Sequence, residues 1–322
     1  MKNLKIIPLL SLTVLLSSCG TASGKAPSFA KEGDEVKYSK FQEDVYKAYK
    51  DSELYDDDTI YGDRLCKMAY YESSVETQKR GKKEISKSES ATSATGEAQY
   101  DGDNYVAKTT TEMKGTYKST VPEGEATQNA NQKSEIYYQF GKVDSRQYLL
   151  SVNNKKKTYY GYTSVVDSKK DVFNSFIGEE IMSLASPFEN YLPDSEADAK
   201  EYTFYIKDET LFTYSAAIEK EENAETTQYN YSTGTSTSVK YGVKKTKLKV
   251  KVQLNLEDKN QSLKVSYEKS VQTTYTKDYN GYAEDDVVIT ESKSYIDYSA
   301  VAKKVDVKEL DLSDYTYTSS SY

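Results

Sequence analysis

The chain has 322 residues, with 43 Lys and Arg against 51 Asp and Glu, and a formal net charge of −8 with no histidine. This acidic balance argues against a nucleic-acid partner and against electrostatic docking on anionic lipid. The missing histidine removes the usual general base, the Ser-His-Asp triad and most zinc sites.

Lys2 and Lys5 form a short basic region, and Ile6 to Leu16 is an apolar run broken by Pro8, Ser11 and Thr13. Charged, then apolar, then small is the order of a secretory signal. The run is shorter than the roughly 20 residues a membrane span needs. Its ending, Leu16-Ser17-Ser18-Cys19, resembles the lipobox of bacterial lipoproteins. That resemblance implies removal of residues 1–18 and a diacylglyceryl thioether on Cys19, often with an amine acylated by palmitate or a similar chain. It also implies a location on the outer face of the bacterial cell membrane or envelope, held there by lipid. Two or more acyl chains hold a protein stably where one does not. The alternative is a simple leader cut near Ala22, with Cys19 an ordinary cysteine. Residues 19–37 are small, polar and unpatterned and are expected to form a flexible tether. Residues 38–315 then form a single domain, and 316–322 a frayed end.

With Cys19 lipidated, Cys66 has no disulfide partner and is expected to be a buried, inert thiol. The other possibility, a catalytic thiol, would want a base such as histidine. Leu, Ile, Val and Phe are sparse for a folded domain, but 32 tyrosines add apolar area. Tyrosine buries a large ring, keeps a polar tip and favours strands. A β-rich body with tyrosine in its core and rims follows.

Ser39 to about Ser52 reads as a first helix: Phe41, Val45, Ala48 and Tyr49 recur at helical spacing, and Ser39 can cap the start. Residues 63–78 read either as helix, from Leu65, Met68 and Ala69, or as strand, from Tyr70, Tyr71 and Val75. From about residue 82 the period becomes two. Lys82–Gln99 and Asn104–Thr120 are expected as strands around a turn at Tyr100-Asp101-Gly102-Asp103-Asn104, and Pro122–Asn131 as a polar loop. Ser134–Phe140, Gln147–Val152 and Lys157–Thr163 continue an antiparallel meander.

Asp171 to about Leu192 carries the clearest helical stripe, with Phe173, Phe176, Ile177, Ile181, Leu184, Phe188 and Leu192 on one face. Pro187 threatens a kink or an early stop. Glu201–Lys207 and Glu209–Lys220 then flank a turn near Asp208, and Thr226–Ser238 is a Ser/Thr/Gly stretch. Thr246–Leu256 is the strongest strand. Leu248, Val250, Val252, Leu254 and Leu256 share one face, while Lys247, Lys249, Lys251, Gln253 and Asn255 share the other. Ser262–Thr276 and Asp286–Ser299 follow as strands around a turn at Tyr279-Asn280-Gly281, and 300–314 closes the domain as a short helical or extended segment.

The order helix, strands, central helix, strands predicts an α+β fold. Its large curved antiparallel sheet, a half-barrel, would carry the central amphipathic helix and the N-terminal helix packed on it. Over roughly residues 38–315 this order resembles the LolA/LppX-type fold, whose members bind lipid or acyl chains in a cavity. The resemblance implies a non-enzymatic protein that binds or carries an apolar or lipid-like ligand between sheet and helix. The apolar stripes would supply the walls, with Phe173, Phe176, Ile177, Ile181 and Leu184 on the helix and Leu248, Val250 and Val252 opposite. The rival expectation is a surface adhesion or protein-interaction module with a filled core and no cavity.

No cofactor, metal site or catalytic residue is expected. Asp56, Asp57, Asp58 and Asp63 lack the spacing of a calcium loop, and Asp101, Asp103 and Asn104, like Asp285-Asp286, read as solvated turns. No pair of acids stands out for glycoside hydrolysis, and neither a phosphate-binding glycine loop nor a nucleophile elbow occurs. The partners expected are the membrane, through Cys19, and an apolar ligand. Tyrosines remain: the pairs Tyr70-Tyr71, Tyr137-Tyr138 and Tyr159-Tyr160, plus Tyr229, Tyr231 and Tyr241. Neighbours on a strand face opposite sides. Inward rings can line a cavity or pack a core, and outward rings can stack on a sugar or a protein.

Overall fold

Long stretches of alternating side chains, interrupted only by tight turns, favour hairpin after hairpin over layered packing. The computed structural model describes residues 24–51, 64–101, 104–121, 124–140, 145–153, 156–162, 192–193, 195–257, 260–302, 313–314 and 316–317. Strand β1 (Asp34–Val36) leads into helix α1 (Tyr38–Asp51). A meander follows: β2 (Arg64–Arg80), β3 (Lys83–Asp101), β4 (Asn104–Val121), β5 (Gly124–Phe140), β6 (Ser145–Asn153) and β7 (Lys156–Tyr162). After a 3-10 turn at Asp198–Glu201 come β8 (Tyr202–Lys207), β9 (Leu211–Asn230), β10 (Thr235–Asn255), β11 (Asn260–Tyr275) and β12 (Asp286–Ala302), then the short β13 (Thr316–Tyr317).

These strands form one 13-stranded sheet in the order β1-β8-β9-β10-β11-β12-β2-β3-β4-β5-β6-β7-β13. The second meander lies beside the first through β12 and β2, which pair from Ala302↔Arg64 to Asp286↔Arg80. All pairings are antiparallel except β13 on β7. β1 and β13 end the sheet, so among the described residues it is open.

The α+β half-barrel expectation is therefore corrected: the protein is all-β, with α1 as the single α-helix among the described residues. The central helix expected over 171–192 falls outside those residues apart from Leu192, so Phe173, Phe176, Ile177, Ile181 and Leu184 receive no placement. Residues 1–23, Cys19 included, and Asp56–Asp58 and Asp63 also lie outside them. The ambiguity at 63–78 resolves as strand, because Tyr70, Tyr71 and Val75 pair on both sides within the sheet. The polar loop expected over Pro122–Asn131 is, from Gly124 on, part of β5, which β4 pairs along its length. Cross-strand hydrogen bonding outweighs the low strand propensity of that segment. The Ser/Thr/Gly stretch Thr226–Ser238 likewise belongs to a hairpin of β9 and β10.

Period two sorts β10 into two faces. Val250, Val252, Leu254 and Leu256 are buried on one, with Phe212 and Tyr214 of β9, Leu263 and Val265 of β11, Ile296 and Tyr298 of β12, and Phe204 of β8. Helix α1 covers this face. Phe41 is fully buried, 5.0 Å from the Phe204 ring and edge-on to Phe212 and Tyr214 at 6.1 Å each. Val45 and Ala48 pack beside it, as their helical spacing requires. The helix starts one residue before Ser39, with the Phe41 amide donating to the Lys37 carbonyl at 3.0 Å. Tyr38 Oη donates to the Pro193 carbonyl at 2.6 Å.

The opposite face is crossed by residues 24–33. Gly24 lies against the ring of Tyr71. Lys264 Nζ donates to the Ser28 carbonyl at 2.7 Å. Buried Gln253 accepts from the Ala30 amide at 2.8 Å and donates to the Ala30 carbonyl at 3.2 Å and to Thr213 at 3.0 Å. Lys251 pairs with Glu32 and sits over the Phe29 ring at 5.1 Å. At Gly33 the strap turns into β1, where a Cβ would meet the Ile206 carbonyl oxygen at 2.1 Å, so only glycine fits. The tether expected over 19–37 is, from Gly24 on, laid against the sheet. Sheet, strap and helix together make a three-layer root.

Candidate functional site

Above the level of Leu248, β9–β12 and β2 continue as a single layer, here called the blade. Among its described residues only Ala224, Gly242, Tyr275 and Asp286 are buried. With no second layer among the described residues to bury apolar groups, opposite charges face each other across β9 and β10. Lys245 meets Glu221 at 3.0 Å and Lys247 meets Glu219 at 2.7 Å on the strap face, and Lys244 meets Glu222 at 3.1 Å on the helix face. Cross-strand pairs of this kind set register more than they add stability.

The upper rim of the blade is braced by tyrosine. Asn280 and Gly281 both have positive φ (48° and 85°) and form a tight turn, closed by the paired backbones of Tyr279 and Tyr282 at 2.9 and 3.0 Å. Positive φ at both central residues is what a type I′ turn needs, and Asn-Gly supplies it. Four rings then stack in a column. Tyr279 lies 4.2 Å from Tyr241, Tyr241 lies 5.7 Å from Tyr275, and Tyr275 lies 4.5 Å from Tyr282. Burial, with the neighbouring phenols of Tyr282, Tyr241 and Tyr279, pushes the Tyr275 hydroxyl up to about 12. Burial and a hydrogen bond to Glu268 do the same for Tyr295 lower down. Both phenols stay neutral, and Tyr295 donates to Glu268.

Beside the column, Asp286 is buried and accepts two hydrogen bonds from Arg80, at 2.7 and 2.9 Å, one from Gln78 at 3.1 Å and one from the Ala283 amide at 3.0 Å. The Arg80 bond in particular holds its carboxyl at about 2. The solvated turn expected at Asp285-Asp286 is thus half right: Asp285 is exposed with φ 67°, while Asp286 is a buried joint between β2 and β12.

This bracing supports a projection. β11 pairs with β10 only from Gly242 down, whereas β9 and β10 remain paired up to Asn230↔Thr235. Register slips between Lys240 and Gly242, leaving Tyr241 as the extra residue of a bulge. Bulges bend and twist a strand locally, and here the bulged Tyr241 docks on the column while its carbonyl accepts from the Thr276 amide at 3.0 Å. The two-stranded ribbon beyond ends in the loop Tyr231–Gly234, with Gly234 at φ 66°. Tyr231 is 90% exposed and Tyr229 53%, their rings edge to face at 5.0 Å and 82°. Thr233 and Thr235 hydroxyls bond each other at 2.7 Å. In a chain with 29% charged residues, none occurs from Thr226 to Val239. Glu225 and Lys240, directly paired in register, close the uncharged segment from below.

The strand-side wall expected for an apolar ligand lies on one face of β10. Val250 and Val252 are buried in the core around Phe41, and Leu248 is half-buried at its upper margin. Among the described residues no group of three or more Asp, Glu or Cys could hold a metal ion, and no helix is long and apolar enough to cross a membrane. Tyr229, Tyr231 and Tyr241 stand out in the sequence, but only the fold gathers them on one ribbon. The sequence signal for that grouping is the uncharged Ser/Thr/Gly run around Tyr229 and Tyr231.

No family model matches the chain, and no curated protein matches it. Solved structures with some likeness include the copper transporter OprC (9% identity, TM-score 0.21, covering 74% of this chain and 43% of that one). Two others are the translocator domain of autotransporter NalP from Neisseria meningitidis (9%, 0.19, 80% and 95%) and Pseudomonas aeruginosa OpdL (6%, 0.18, 74% and 98%). The chain thus spans less than half the length of the first of these. TM-scores this low carry no inference about architecture or activity.

Proposed function

We propose that this is a non-enzymatic bacterial surface lipoprotein, anchored through Cys19, that holds the β9–β10 ribbon out as an interaction module. The observation that carries this reading is the ribbon itself: two exposed tyrosines at the end of an uncharged projection braced by a four-ring column. The lipobox resemblance of Leu16–Cys19 supports the anchor. Geometry is favourable too. The chain from Cys19 to Gly24 reaches at most about 18 Å, so the strap keeps the root close to the lipid. From the level of Lys251 to Thr235, β10 extends about 50 Å at ~3.3 Å per residue. A lipid-anchored root therefore presents the tip well clear of the membrane.

An apolar carrier is the weaker reading, because Val250 and Val252 are spent on the core with Phe41. Two experiments test the proposal. Cys19→Ala should move the protein from the membrane fraction to the medium or periplasm; persistence in the membrane would sink the anchor. Replacing residues 226–239 of the full-length protein by Asn-Gly should abolish attachment of expressing cells to their target surface while the protein stays displayed. Undiminished attachment would sink the interaction module.

A further inference from the structure

The tip has a chemistry of its own. Tyr229 and Tyr231 meet at 82° and so present two ring faces at nearly a right angle. Around them stand hydroxyls and an amide only: Thr226, Thr227 and Gln228 on one strand, and Thr235 to Ser238 on the other. A ligand bearing phosphate, sulfate or carboxylate would find no counter-charge above the Glu225–Lys240 pair. A protein partner normally needs about 800 Å² and 20–30 residues on each side. The end of a ribbon two strands wide, at about 4.8 Å per strand, is too narrow to offer that. A pyranose ring fits both constraints. It has an apolar C–H face to lie on an aromatic ring and uncharged hydroxyls at its rim, and tyrosine offers its ring at low cost in side-chain entropy.

We propose that the Tyr229–Tyr231 tip binds a neutral glycan, stacking a sugar ring on tyrosine and meeting its hydroxyls with Ser, Thr and Gln. This rests on the display reading above and assigns that tip its ligand class. A single such site is weak. Many lipid-anchored copies on one surface raise the effective concentration and make attachment stable.

The test uses full-length protein in detergent micelles on an array of neutral hexose and N-acetylhexosamine oligomers, with their sulfated and sialylated counterparts. Wild type should be retained on neutral oligomers. Tyr231→Ala and Tyr229→Ala should each weaken retention tenfold or more, and Tyr231→Phe should stay within about threefold of wild type, because the ring does the stacking. Thermal unfolding of all variants should match wild type, since both side chains are exposed. Retention of no neutral oligomer, retention of charged ones alone, or binding indifferent to both alanine variants would overturn the glycan assignment. Capture of a protein that requires both tyrosines, without sugar binding, would overturn it too while leaving the display module standing. Cell attachment that survives removal of the whole ribbon would instead bring down the display reading.

Discussion

Strand β10 passes through two environments, and comparing its halves shows what a β-sheet can be built from. In the root, Val250 to Leu256 alternate between a helix-covered core and a strap whose backbone bonds to Gln253. In the blade, Lys244, Lys245 and Lys247 face glutamates in water on both sides. The root is held by apolar burial, which scales with area removed from water. The blade lacks that area and depends on its backbone ladder, on cross-strand pairs, and on the Asp286 joint and tyrosine column at its upper rim. A single layer can therefore stand where one end is anchored in a core and the other is tied off.

The largest effect should come from the root. Phe41→Ala empties the centre of the aromatic cluster and should lower stability by about 3–5 kcal/mol, measured by urea unfolding. Loss of less than about 1 kcal/mol would mean that α1 is dispensable. Next is the strap. Gln253→Ala leaves the Ala30 backbone and the Thr213 hydroxyl without their partner and should cost about 1–3 kcal/mol. Amide exchange should rise first in residues 24–36; uniform exchange would contradict a separable strap.

In the blade, pH sharpens the contrast. The Asp286 carboxyl sits at about 2 in the folded protein, against an ordinary value of 3.8. Its contribution is complete above about pH 4 and is lost as pH falls towards 2. Exchange protection in β2 and β12 near Asp286 should decline over that window, and Asp286→Asn should flatten the decline. An unchanged pH profile in that variant would remove Asp286 from the account. The smallest effect belongs to Lys247→Ala, whose exposed partner Glu219 is solvated without it. Its thermal midpoint should match wild type at moderate salt, and a clear drop would mean the blade relies on individual ion pairs.

Much of this architecture was legible residue by residue. Five apolar side chains at every second position mark Leu248–Leu256 as a strand with one covered face, and Phe41, Val45 and Ala48 mark a helix that can cover it. Tyr279-Asn280-Gly281 announces a turn because few residues tolerate positive φ. The Gly124–Asn131 segment was illegible, since its polar side chains disguise a strand that β4 stabilises through backbone bonds. At the candidate site, the tyrosines were visible but their grouping was not. Tyr241 and Tyr279 stack only because the bulge beside Gly242 places one under the other.

The sequence by itself determined the local periods, the turns, the scarcity of aliphatic residues offset by tyrosine, and the lipobox-like ending at Cys19. Each depends on residues within a few positions of one another. Tertiary structure alone decided that two meanders join through β12 and β2, that the N-terminal strap and α1 take opposite faces, and that Arg80 buries Asp286. Those partners stand up to 238 positions apart, at Ala302↔Arg64. Which distant strands pair is set by the burial and backbone bonding of the whole sheet, not by any pattern confined to one segment.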